Sequence, residues 1–460
     1  MTPLALAILF AALAGYGCWS TPGLVARWGV SAAGLALFGG WGIVAAFALS
    51  ILARTPKRHE VLGFAVAAMI LRIGSLWLSA GRVSPGDARE YLALAHNLLA
   101  GRGLVVADAY MHLDVRALYP PLYPLLLAGW GAVAGLSAPS LLALSTVIDL
   151  LAAWAIAQLG ARCGNAPGGM AAAALYLIWP STLFDAPLAQ KESLEVLLIA
   201  LLALGWINAA RVDWRTAARI GVPAGLLALC QPGQAALAAL FALAALQRLG
   251  WARVIALGAR AGGVAMLVLL PWWVRNALVF GEFVPLTSAG GLSLWVGENP
   301  AATGNWMPYP PALTGLRELA YGRAAAGLAV DWMVHHPLDV ARLNAAKFVR
   351  AMGVAQSGVV RLAAMRPALG DAAALLPVSQ ISHLLLLAAA SAALVLHRVP
   401  LLAVILIAAC LAQLLIFGLW FEFGERHRDF ITPFLLIAVT SANVRRRTTP
   451  AAASSARPAA

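Results

Sequence analysis

The sequence predicts an all-α integral membrane protein, a bundle of about twelve transmembrane helices with amphipathic helices on its outer face. Three observations carry this. Of 460 residues, 62% are hydrophobic and only 11% charged, and the mean hydropathy is +0.83, far too apolar for a soluble globular chain of this size. Apolar runs, several of them short, recur near 3–19, 29–52, 60–80, 140–160, 168–184, 191–209, 217–231, 234–248, 261–276, 378–396, 400–420 and 429–444. Between them stand basic clusters at Arg54/Lys57/Arg58, Arg162, Arg211/Arg215/Arg219, Arg248/Arg253/Arg260, Arg398 and Arg445/Arg446/Arg447, which fall on one side, as the positive-inside bias requires.

Taken in order, residues 1–59 supply two N-terminal helices; 3–19 lacks a basic leader and is followed by further runs, so it reads as a span and not as a cleaved signal. Residues 60–276 form the transmembrane core, with a first outer loop at 81–139. Within that loop, Asp87, Tyr91, Leu94 and Leu98 recur at helical spacing, giving a short amphipathic helix. Ser84 as N-cap, Pro85 at the first helical position and Asp87 closing a capping box explain its start; the same carboxylate at a helix N-terminus also suits an anionic ligand or base. In Leu118 to Leu136 the continuous apolar part after Pro124 is only about 12 residues, which predicts an interfacial or re-entrant helix. The 217–248 stretch reads as a pair hinged at Gln231-Pro232-Gly233. Residues 277–377 form a second outer loop with amphipathic helices, 378–445 the last transmembrane helices, and 446–460 a disordered cytoplasmic tail. An even number of spans puts both termini in the cytoplasm. Only Glu60 and Asp213 are then cytoplasmic acids; Asp149 lies in a span, and the other 16 of 19 face outward.

That asymmetry locates the chemistry outside. Arg72 and Asp149 are charges within spans at matching depth, which predicts an ion pair. In FDAPLAQKESLE, a solvated helix end with a Lys191–Glu195 pair competes with a second acid facing Asp87, either Asp185 or Glu192. The Gly- and Ser-rich stretch after PWWVRN reads as a loop able to bring backbone N–H groups to a ligand. His335 and His336 lack partners at metal-ligand spacing and read as a helix end. Arg426, His427 and Arg428 stand at the outer mouth of the last run, against the positive-inside bias, where guanidinium groups can grip phosphate or pair with neighbouring acids. Cys18, Cys163, Cys230 and Cys410 suggest neither a disulfide framework nor a zinc site. No nucleotide-binding or hydrolase motif stands in a supporting context, and the net charge of +13 sits in loops and does not mark a nucleic-acid binder.

The order DAREYLALAHNLLAGRGL, RALYPPLYPLLLA, PWWVRN, GENPAATG, HHPLDVARLNAAKF and ERHRDFITPFLLIA resembles the C-type (GT-C) membrane glycosyltransferases of the protein O-mannosyltransferase and lipid A aminoarabinose transferase group, over roughly residues 60–445. The resemblance implies a GT-C-like bundle in the cytoplasmic (inner) membrane and inverting transfer from a polyprenyl-phosphate sugar to a glycan, lipid or protein acceptor on the periplasmic side. It matches Asp87 to the first-loop acid taken as base or metal-linked acid, and places Glu192 where the family often has an acid. Arg116 with Tyr119 to Pro124, including Tyr123, corresponds to the RxPxYP-like element; Arg275 and Asn299 fall in its PWWVRN and GENPAATG stretches; Arg426 and Arg428 match the basic pair that would hold phosphate. A divalent metal at Asp87 is an alternative means of holding the phosphate. The chain departs from the family in its two extra N-terminal spans, in having Asp87 as a lone acid, and in lacking a C-terminal soluble domain. The competing class is a multi-pass transporter or an envelope-assembly subunit, which predicts charges lining a path through the membrane and repeat symmetry.

Overall fold

The computed structural model describes residues 2–52, 56–79, 82, 86–365 and 371–442. Arg54, the proposed Ser84-Pro85 cap, the Arg445 to Arg447 cluster and the 446–460 tail lie outside the described residues. Three helices open the chain: α1 (Pro3–Trp28), α2 (Ala32–Leu52) and α3 (Arg58–Leu78). The interval after α3 folds as α4 (Asp87–Leu99), strands β1 (Val106–Asp108) and β2 (Leu113–Val115), and α5 (Leu122–Ala134). There follow α6 (Ala138–Arg162), α7 (Ala166–Leu177), α8 (Pro180–Asp185), α9 (Glu192–Ile207) and α10 (Trp214–Cys230), then two short helices, α11 (Leu237–Leu240) and α12 (Leu246–Leu249), and the long α13 (Trp251–Phe280). The interval after α13 carries α14 (Gly290–Gly297), α15 (Glu318–His335), α16 (Pro337–Gly353) and α17 (Ser357–Met365). Helices α18 (Asp371–Leu396), α19 (Leu401–Gln413) and α20 (Thr432–Thr440) complete the described chain.

The fold is nearly all-α, and among the described residues seven helices are long and apolar enough to cross a membrane: α1, α2, α3, α6, α13, α18 and the stretch from Leu401 to Gly418 that begins with α19. The remaining runs are shorter for local reasons. Pro180 separates α7, of 12 residues, from α8. At the Gln231-Pro232-Gly233 hinge the proline lacks an N–H and α10 stops, the chain continuing in 3-10 turns and four-residue helices. The polar Glu425–Ile431 segment forms a 3-10 turn that leaves α20 only 9 residues. Helix α5, at 13 residues, is about 20 Å long and falls short of a hydrocarbon core of roughly 30 Å.

Most of these helices share one apolar core. Gly160 and Gly169 bring the α6 and α7 backbones into contact, and a Cβ on either would strike the other helix. Large apolar side chains such as Ile43, Leu62, Ile70 and Leu267 point outward on spanning helices, the arrangement lipid favours. As predicted, Arg72 and Asp149 pair at 2.9 Å with both side chains buried. Tyr176 donates to the second Asp149 oxygen at 3.0 Å, and Arg72 also donates to Leu177 O at 3.3 Å.

These two intervals depart from the sequence reading in two places. Residues 106–115 form an antiparallel hairpin, Val106 opposite Val115, whose turn is fixed by Asp108 Oδ1 accepting from the Tyr110 and Met111 N–H groups at 2.9 and 2.7 Å. The Gly-rich stretch expected as an open loop forms α14, where Gly291 packs against the Gly322 carbonyl of α15. These glycines allow close helix packing instead of exposing N–H groups to a ligand.

Candidate functional site

Gly86, with φ +79°, turns the chain sharply into α4, so Asp87 stands at the helix start. Its carboxylate faces Arg426 from the opposite end of the sequence. Arg426 Nη1 lies 2.9 Å from Asp87 Oδ2, and Nη2 lies 3.8 Å from Glu422 Oε1. Burial tends to raise the Asp87 carboxyl, but Arg426 and Lys191 outweigh it and hold it below its ordinary value. Glu422 is pushed the other way: burial and the Asp87 charge raise it, with Arg426 only partly opposing. One carboxylate is thus firmly ionised and its neighbour more ready to hold a proton.

The wall beside them is aromatic. Tyr91, one helical turn after Asp87, is buried and meets Tyr119 and Tyr123 edge to face, with centroids 6.0 and 5.4 Å away. Lys191 Nζ lies 5.8 Å from the centre of the Tyr91 ring and donates to Gln231 Oε1. His427 stacks on Phe423, and its Nδ1 accepts the Gly424 N–H at 3.1 Å. Burial, then the Arg426 and Lys191 charges, bring its pKa down to about 3, so this ring is neutral at ordinary pH. Asp87, Arg426, Lys191 and the tyrosine wall, drawn from α4, the bend before α5 and its first turn, the cap of α9 and the Glu425–Ile431 segment, therefore form one lip.

Arg428 does not join Arg426. In a 3-10 turn two residues apart means about 240° of rotation, so the side chains diverge. Arg428 is buried, donating to Met352 O at 2.8 Å and to His383 Nε2. Asn299 is likewise committed locally, its Nδ2 donating to Trp295 O at 2.7 Å and its Oδ1 accepting from the Ala301 N–H at 2.8 Å. The Arg116 side chain is exposed while its backbone N–H donates to Glu318 Oε2 at 2.7 Å. Arg275 donates to Leu104 O at 3.1 Å and sits 4.8 Å from the Trp272 ring. Of the two acids left open by the sequence, Asp185 is paired with Arg361, whose pKa burial lowers to about 10. Glu192 is buried and its Oε2 has no hydrogen-bond partner among the described residues.

Two polar anchors escape the sequence reading. Glu318 gathers the N–H groups of Arg116 and Ala117 and the Ser288 hydroxyl, tying the RALYPP turn to α15. Lys347 is fully buried against Glu298 at 2.9 Å and also donates to Gly297 O at 3.0 Å. A signal for it exists: Val340, Asn344, Lys347 and Ala351 form one helical stripe, so Lys347 falls on the inward face of α16.

Among the described residues no three His, Cys, Asp or Glu side chains converge as a metal cage. Asp87 and Glu422 flank an arginine instead of meeting a third donor, so this donor set fits a guanidinium. No family model, curated protein or solved structure matches the chain. The geometry alone therefore defines the class: a membrane protein with a lip where an ionised carboxylate meets the Arg426 guanidinium under the added charge of Lys191.

Proposed function

We propose that the chain is a GT-C type membrane glycosyltransferase that moves a sugar from a polyprenyl-phosphate donor to a glycan, lipid or protein acceptor, with inversion, on the outer face of the cytoplasmic membrane. The reading includes twelve crossings with both termini in the cytoplasm. The observation that supports it is the Asp87–Arg426 pair, a carboxylate held ready beside a guanidinium at one lip. An arriving phosphate competes for Arg426 through bidentate hydrogen bonds. Asp87 then loses its main counter-charge while remaining partly buried, and its proton affinity rises toward that of a useful base. The acceptor oxygen attacks the anomeric carbon from the face opposite the phosphate, and its proton passes to Asp87. The bond from carbon to phosphate oxygen breaks with its electron pair leaving on the polyprenyl phosphate, whose charge Arg426 and Lys191 meet.

Asp87→Asn keeps the shape and removes the base. The expected outcome is normal expression and membrane insertion with transfer abolished, read by mass spectrometry of glycolipids, surface polysaccharide and membrane glycoproteins at equal protein level. One sugar should vanish from an acceptor while its polyprenyl-phosphate donor accumulates. Unchanged pools would overturn the reading in favour of a transporter or an envelope-assembly subunit.

A further inference from the structure

Behind the lip, α8, the start of α9 and the Glu425–Ile431 segment enclose a void with room for about one water molecule, lined by residues that include Thr182, Glu192, Ser193, Asp429 and Thr432. Of the acids around it, Asp149 is taken by Arg72 and Tyr176, and Asp185 by Arg361. Glu192 and Asp429 are not matched in this way. Glu192 is only 9% exposed, and its Oε2 has no hydrogen-bond partner among the described residues. No hydrogen bond or ion pair among those residues holds the Asp429 carboxylate, because Arg428, beside it in the chain, donates to Met352 O and His383 Nε2 instead. The two carboxylates act on each other, with Arg428 the nearest cation not already matched to an acid. Lys191 and Glu195, on either side of Glu192, offset each other. One negative charge is left in excess around the void.

We propose that this void is a site for one monovalent cation of sodium size, held between Glu192 Oε2 and the Asp429 carboxylate, with the Thr182, Ser193 and Thr432 hydroxyls supplying neutral oxygens. Buried charges are paired or coordinate a metal, and hard cations take oxygen ligands, which is what this lining offers. A water molecule fits the space but brings no charge to meet the excess. A divalent ion brings too much: among the described residues no three His, Cys, Asp or Glu side chains are placed to hold one. The bound ion fastens the start of α9 to the segment that carries Arg426, on which the Glu192 charge already acts. Occupancy therefore steadies the lip. The site does not depend on the transfer assignment, since it is argued from space, charge and an unmade hydrogen bond alone.

The test measures binding without turnover. Purified protein in detergent, at about pH 8 and so above the ordinary carboxylate range, is unfolded thermally in sodium chloride and in choline chloride at equal ionic strength. Choline is too large for the void and sets the baseline. Sodium should raise Tm saturably by about 2–4 °C or more, the shift that ligand linkage produces well above Kd. Glu192→Gln and Asp429→Asn keep the shape and remove the charge. Each should lose the sodium response while its Tm in choline stays at or above that of the wild type, because an unmatched buried carboxylate is gone. A second measurement needs no variant: radiolabelled sodium should be retained by the wild type in a scintillation-proximity assay and displaced by unlabelled sodium but not by choline. No saturable retention of label, or a sodium response that survives Glu192→Gln, overturns the site and leaves a buried water in its place. Neither readout involves transfer, so the result stands apart from that of Asp87→Asn.

Discussion

At the scale of the residue, the Asp87–Arg426 pair makes a claim about pH. Asp87 is held below its ordinary value, so it is ionised across the neutral range, and its pairing with Arg426 is lost only as pH falls through that lowered value. In Arg426→Gln the burial of the carboxyl is no longer offset by the guanidinium, and its pKa rises. The acid limb of the transfer rate measured at limiting donor should therefore move to higher pH, alongside a rise in KM for the polyprenyl-phosphate sugar. An acid limb that stays in place while KM rises would leave Arg426 as a phosphate ligand with no hold on Asp87. The sequence carries much of this site. The helical spacing of Asp87 and Tyr91 and the anomalous cations at the last outer mouth are visible in one dimension. What it does not carry is the sorting of Arg426 from Arg428: residues two apart diverge in either kind of helix, and which of them meets Asp87 is set by the tertiary contacts that give Arg428 to Met352 and His383.

At the scale of the element, a buried charge pair holds the interval between α13 and α18 together, and hydrogen bonds to the Phe421 carbonyl and from the Phe423 N–H tie it to the segment before α20. Lys347 of α16 bonds Glu298 and the Gly297 carbonyl, and the Gly304 carbonyl accepts from the Phe423 N–H at 3.0 Å, next to Glu422. Both charges are withdrawn from solvent, and burial lowers the lysine and raises the glutamate. Removing one partner is worse than removing both, since the remaining charge is buried without compensation. Lys347→Ala should destabilise the folded protein by about 3–5 kcal/mol, and pairing Lys347→Met with Glu298→Leu should recover most of it, read as thermal unfolding of the detergent-solubilised protein. A single variant as stable as the wild type would show that the pair is not holding the interval. Elements were legible where composition is periodic and opaque where it is not. The α4 and α16 stripes appear in their spacing. The 106–115 hairpin does not, since three-residue strands are too short to show alternation, and the α14 glycines read as a loop until a partner helix explains them.

At the scale of the molecule, which side of the membrane each loop occupies depends on the shortest helices. The seven long helices make an odd number of crossings, which alone would place the two ends on opposite sides. Helices α7 and α9 form one pair, and α10 with the broken α11–α12 run another; each leaves the side unchanged whether or not it crosses fully. Helix α20 decides the parity, and it is 9 helical residues behind a 3-10 turn. In the proposed topology it crosses, so that the Arg445 to Arg447 cluster shares a face with Lys57 and Arg58, in keeping with the positive-inside bias. In the same topology α5 does not cross, since Arg58 and Arg162 would otherwise part. In a background where exposed Cys18 is replaced, His59→Cys and Arg162→Cys should resist a membrane-impermeant maleimide in intact spheroplasts and react after permeabilisation, whereas Asn305→Cys should react in both. An epitope at the C-terminus should behave like His59→Cys. If Arg162→Cys labels from outside while His59→Cys does not, α5 spans the membrane and the Asp87 lip loses its juxtamembrane floor. If the epitope alone is exposed outside, α20 is re-entrant, and Arg426 reaches Asp87 from a hairpin seated in the outer leaflet.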